Sequence, residues 1–148
     1  MRRLLLLLPF ALAACRADGT LPSPSGQRPG TILYYADPVR ITAPASWPAG
    51  QPFQVTVVTY ANGCVTRGDT QVDVRGLSAD IKVFDRDDDL NPAALCLASL
   101  HELSHQTTLL VSSPGTAKIR VHGRSEPDNK PHTVTVTVQI DAAPFPTG

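Results

Sequence analysis

The stretch Thr133-Val134-Thr135-Val136-Thr137-Val138-Gln139-Ile140 decides the fold class. An aliphatic residue stands at every second position, with threonine or glutamine between. Successive side chains of a strand point to opposite faces, so this alternation buries one face and wets the other. The segment before it repeats the pattern. Ile119, Val121 and Gly123 alternate with Lys118, Arg120, His122 and Arg124, and Ser125 to Pro131 supplies the turn. Two such segments are expected to pair as half-buried antiparallel strands.

Working outward, the same texture covers the chain from Thr31. Ile32 to Tyr35 and Val39 to Thr42 are expected early strands. Pro44, Pro48 and Gly50 interrupt the chain around Trp47. In the strand from Phe53 to Tyr60, Phe53, Val55, Val57 and Thr59 form one face. Asn62-Gly63 turns the chain at Cys64. Gln71 to Arg75 follows with Val72 and Val74 inward, and Ile81 and Val83 mark another strand that runs into an acidic loop. A strand from Gln106 to Val111 precedes the Pro114-Gly115 turn. About seven short strands at this spacing indicate an all-β antiparallel sandwich over 31–142, with 143–148 as a tail.

Two segments resemble bacterial immunoglobulin-like domains: Pro48-Ala49-Gly50-Gln51-Pro52-Phe53-Gln54-Val55-Thr56-Val57 and Pro114-Gly115-Thr116-Ala117-Lys118-Ile119-Arg120-Val121. The resemblance implies an immunoglobulin-like sandwich. Trp47 precedes the second strand and Cys96 precedes the last three. The cysteines are therefore expected to pin a long loop, not to bridge the two sheets as in antibody domains.

The first residues carry a different signal. Met1-Arg2-Arg3 is positive, Leu4 to Ala13 is apolar, and small residues follow. That order marks a secretory signal peptide, and the apolar run is too short to span a bilayer as a helix. Leu12-Ala13-Ala14-Cys15 resembles the lipobox of bacterial lipoproteins: an aliphatic residue, two small ones, then the thiol that receives diacylglycerol. The resemblance implies cleavage after residue 14, lipid on Cys15, and attachment to a bacterial membrane facing periplasm or exterior. Arg16 after the cysteine favours the outer membrane where two are present. Ala11-Leu12-Ala13 reads instead as an ordinary A-x-A cleavage site, which would release a soluble protein. Residues 16–30, rich in Pro, Gly and Ser, read with Cys15 as a solvated tether.

Once Cys15 is assigned to lipid, Cys64 and Cys96 remain as an even pair. In an oxidising compartment they are expected to form one disulfide closing a 33-residue loop, against the alternative of two buried thiols. Loss of Arg2 and Arg3 leaves 11 of the 13 basic side chains against 13 acidic ones. This mildly acidic balance argues against nucleic acid as a partner.

One motif points toward chemistry. His101-Glu102-Leu103-Ser104-His105 matches H-E-x-x-H and resembles the zinc site of zincin metalloproteases. On a helix, residues i and i+4 share a face, so His101 and His105 would hold Zn²⁺ while Glu102 activates water. Glu126, Asp128, His122 and His132 are third-ligand candidates. Asn91 as N-cap and Pro92 at the first turn allow a short helix near 92–104. The β-prone run after His105 and the lack of a second helical segment argue instead for an ordinary loop or strand start.

Asp85, Asp87 and Asp89 resemble the start of a calcium loop, although Leu90 and Cys96 stand where an EF-hand needs glycine and glutamate. The row Lys118, Arg120, His122 and Arg124 could meet an anionic surface ligand or an envelope protein, or simply form the wet side of a sheet. No cofactor is expected. The balance favours a non-enzymatic binding or structural role at the cell envelope, with a small zinc metallohydrolase as the alternative.

Overall fold

The 133–140 alternation becomes half of a long hairpin. In the computed structural model, which describes residues 26–87 and 99–143, Gly115–Glu126 and Pro131–Asp141 pair antiparallel from Gly115↔Ile140 to Arg124↔Pro131. Ten strands are formed among the described residues, and no helix. They are β1 (Gln27–Pro29), β2 (Thr31–Tyr34), β3 (Ile41–Thr42), β4 (Ser46–Pro48), β5 (Pro52–Asn62), β6 (Val65–Arg75), β7 (Ser78–Asp87), β8 (Leu100–Leu110), β9 (Gly115–Glu126) and β10 (Pro131–Asp141). The fold is all-β and sandwich-like. Three of the strands, β1, β3 and β4, have only two or three residues, too few to show a period in sequence.

Long antiparallel ladders join β5 to β8, β6 to β7, and β9 to β10. The β5–β6 connection is Gly63-Cys64, and Gly63 takes φ 66°, a conformation that L side chains resist. The remaining joins include three parallel pairings: β7 with β9, β2 with β9, and β4 with β10. Phe53, Val55 and Val57 of β5 and Leu109 of β8 form one inner face. Ile81 and Val83 of β7, Ile119 and Val121 of β9, and Val138 and Ile140 of β10 form the other. All are essentially out of solvent, so the aliphatic residues at period two meet across one core. Val74 reaches the edge of that core, but Val72 is 37% exposed, contrary to its expected inward placement.

β7 and β9 run side by side only from Ser78↔Lys118 to Lys82↔His122. Beyond that rung they part, and the N-terminal segment enters the gap. β1 pairs with β7 at Pro29↔Phe84, and β2 with β9 at Thr31↔Arg124. Gly30 bridges the two: its N–H donates to Val83 O and its carbonyl accepts from Arg124 N, both at 2.9 Å. The approach is very close. A Cβ on Gly123 would lie 2.5 Å from Gly30 O and 2.8 Å from Ile32 Cγ2. A Cβ on Gly30 would lie 2.6 Å from Thr59 Cγ2.

Two boundaries are corrected. The tether assigned to residues 15–30 ends earlier, because Gln27–Pro29 belongs to the sheet. Gln27 is also locked to Asp69 by Asp69 N donating to Gln27 Oε1 and Gln27 Nε2 donating to Asp69 Oδ2, each at 2.7 Å. The helix expected near 92–104 is not formed where it can be seen. From Leu100 onward the chain is β8, paired residue by residue with β5, while 92–98 lie outside the described residues.

Candidate functional site

The H-E-x-x-H residues lie on β8, where the spacing acts differently. On a strand, His101 and His105 share a face but stand about 13 Å apart along it, at about 3.3 Å per residue. Glu102 points the other way and pairs with Arg40. His101 Nε2 donates to Val65 O at 3.0 Å. His105 is wholly buried; its Nε2 lies 3.0 Å from Asp85 Oδ1 and 3.2 Å from Thr59 Oγ1, and its Nδ1 lies 3.2 Å from Thr70 Oγ1. Thr59 also donates to Asp85 Oδ1 at 3.0 Å. One proton arrangement satisfies every member: Nε2–H donates to Asp85, and Nδ1 accepts from Thr70.

The motif therefore occupies a seam. β6 and β8 share no backbone ladder, yet side chains stitch them together: His101 to Val65 O, His105 to Thr70, and Arg67 Nη1 to Ser104 O at 3.2 Å. The bonds to Val65 O and Ser104 O occupy carbonyls that two open strand edges would otherwise present. Among the described residues, Thr70, His105 and Asp85 line neither surface cleft named below.

Most of the other expected ligands within the described residues have protein partners. Asp85 is buried in the seam network and Asp87 pairs with Arg28 at 3.0 Å; both stand on β7 and not in a loop, while Asp89 lies outside the described residues. Asp128 accepts from Ser125 Oγ at 2.7 Å, which holds its carboxyl below the usual range, and it pairs with Lys130 at 3.2 Å. Glu126 faces Arg124 at 3.4 Å, and His132 lies on β10. No group of three or more His, Cys, Asp or Glu is placed to hold a metal among the described residues. Cys64 stands in the β5–β6 turn; Cys15 and Cys96 lie outside the described residues.

The basic row on β9 divides in two. Arg120 binds Asp80 through Nε–Oδ1 at 2.8 Å and Nη2–Oδ2 at 2.6 Å, and His122 Nε2 lies 2.7 Å from Asp80 Oδ1. Partial burial works against the Asp80 charge, but the bonds from Arg120 and His122 outweigh it and hold this carboxyl below its ordinary range. That half of the row is thus neutralised within the sheet.

Arg124 belongs to the other half. It lies where β7 and β9 part, beside a cleft of about 440 Å³. Arg28, Lys82, His122 and Arg124 line this cleft, Pro29, Phe84 and Pro131 give it apolar wall, and no carboxylate is among its lining residues. Arg124 Nε donates to Thr31 Oγ1 at 2.9 Å and Nη1 to Asn129 Oδ1 at 2.8 Å. Burial, then the like charge of Arg28, depresses the Arg124 pKa against the opposing pull of Glu126, Asp85 and Asp87. Arg28 Nε is buried without a hydrogen-bond partner. On the far side, the same two arginines line a smaller cleft with Tyr34, Tyr35 and Tyr60. Sequence reading found Arg124 but missed Arg28, which looked like part of a solvated tether.

Comparison of the chain with protein-family models, with curated proteins and with solved structures gives no match in any of the three.

Proposed function

We propose that this chain is an exported binding domain, held to a bacterial membrane by lipid on Cys15, that receives an anionic ligand in the cleft between β7 and β9. The observation that carries the reading joins sequence to fold. Leu12-Ala13-Ala14-Cys15 ends 12 positions before Gln27 in sequence, and β1, the first strand among the described residues, contributes Arg28 and Pro29 to the cleft. Gln27 follows Cys15 by 12 positions, a reach of at most about 43 Å when fully extended. The ligand site therefore stays near the membrane surface. Two or more acyl chains on Cys15 would make attachment stable, where one would be marginal. Arg16 points to the outer membrane in a cell with two.

The same reading pairs Cys64 with Cys96. Asn62 lies opposite Leu100 in the β5–β8 ladder, so Cys64, two residues after Asn62, stands at the end of the sandwich where β8 begins. Cys96 precedes Leu100 by four positions in sequence. An oxidising compartment then favours the bond.

Membrane fractionation tests the anchoring. The wild-type chain should sediment with membranes and be released by detergent, whereas Cys15→Ser should be recovered in the soluble exported fraction or remain unprocessed. Equal recovery of both chains in the soluble exported fraction would end the reading.

A further inference from the structure

We infer that the cleft between β7 and β9 is a binding site for a small amphipathic anion: one acidic group against Arg28 and Arg124, with an apolar body against Pro29, Phe84 and Pro131. The inference rests on the proposed binding role and adds the chemical class of the ligand.

Three observations carry it. First, the site is built by topology. The β7–β9 ladder ends at Lys82↔His122, and β1 and β2 fill the gap only as far as the backbone of Gly30 allows. What remains is about 440 Å³, within the range of small-molecule sites.

Second, its charge is of one sign. Arg28, Lys82 and Arg124 line it without a carboxylate among them, and His122 beside them is taken up by Asp80. The groups that balance them lie outside the lining: Asp87 on Arg28, Glu126 on Arg124, and Asp80 on His122. Arg28 and Arg124 both line the cleft, and the buried Nε of Arg28 has no hydrogen-bond partner, which leaves a donor that an acidic group can meet. Guanidinium forks match carboxylate and phosphate oxygens in pairs.

Third, the wall selects the rest of the ligand. Pro29 and Pro131, both exposed, with the buried Phe84 behind them, give an apolar surface that a bare inorganic anion would leave uncovered. A ligand with both parts satisfies both features.

The test is calorimetric titration of the purified full-length protein with four probes. 1-Naphthylacetate supplies ring and carboxylate, 1-naphthaleneethanol the ring alone, and inorganic phosphate the charge alone. Vesicles of phosphatidylglycerol, compared with phosphatidylcholine, supply an anionic lipid surface. Naphthylacetate is expected to bind saturably, about tenfold or more tighter than either the alcohol or phosphate. Arg28→Gln and Arg124→Gln should each weaken it about tenfold, while Arg75→Gln, outside the cleft, leaves it unchanged. Should Arg124→Gln unfold through loss of its bonds to Thr31 and Asn129, Arg28→Gln and a fall in affinity with salt carry the test. Equal binding of acid and alcohol, equal binding of acid and phosphate, or association with vesicles alone overturns the inference. Purified protein is used, so lack of acylation at Cys15 does not alter this result, and the anchoring and the ligand class fail separately.

Discussion

His105 Nε2 lies 3.0 Å from Asp85 Oδ1, and neither side chain reaches solvent: 0% and 3% of each is exposed. The pair joins β8 to β7 beneath the edge of β6, with Thr59 and Thr70 closing the network. Here a five-residue pattern known from zinc enzymes is a fastening between strands. Removing one partner strands the other in a medium without water. His105→Ala should cost about 3 kcal/mol in urea unfolding. Thr70→Val, which removes only one half-exposed hydroxyl, should cost about 1 kcal/mol. Near-neutral behaviour of His105→Ala would show that the seam does not hold the sheets.

The crossing of Gly30 and Gly123 sets the second expectation. The methyl group of Gly123→Ala would meet backbone, at 2.5 Å from Gly30 O, and backbone cannot swing aside as a long side chain can. Destabilisation of about 2 kcal/mol is expected from thermal or urea unfolding. The cleft should suffer with it, because the β1–β2 chain that bounds it must shift.

Acid should weaken the fold through Asp80. Its carboxyl is held below the ordinary value of 3.8 by Arg120 and His122. A carboxylate with a depressed folded pKa contributes stability that is present above the unfolded value and lost as pH falls through the folded one. Unfolding free energy should therefore decline as pH drops below about 4, and less steeply in Asp80→Asn than in wild type. Parallel curves for the two proteins would contradict this role.

If Cys64 and Cys96 are joined as proposed, the bond closes a loop of 33 residues. In the chain-entropy description that is worth about 3.7 kcal/mol. Reductant, or the double substitution to Ala, should lower the urea midpoint accordingly, and alkylation of the unfolded but unreduced chain should leave both thiols unlabelled.

Legibility in the sequence followed the hydrophobic period. The β9–β10 hairpin and β5 were readable because each places aliphatic residues on one face without interruption. β8 was not. Its inward face carries His101, Leu103, His105, Thr107 and Leu109, so polar groups interrupt the apolar alternation, while Leu100 and Leu110 lie exposed. The sequence allows a short helix over its first half, although it favours a loop or strand start, and the pairing with β5 decides for the strand. β1, Gln27-Arg28-Pro29, has no period to read and exists through non-local bonds to β7 and Asp69. The cleft was half legible for the same reason. Arg124 stood in a visible row, but Arg28 reaches the site only because β7 and β9 part and admit the N-terminal strand. Asp85 read as one of an acidic run, since nothing local tells that His105 faces it.

The most direct measurement is the mass of the mature N-terminus. The account predicts a chain beginning at Cys15 and carrying acyl chains. An unmodified chain beginning at Ala14, or one retaining Met1 to Ala14, would contradict it.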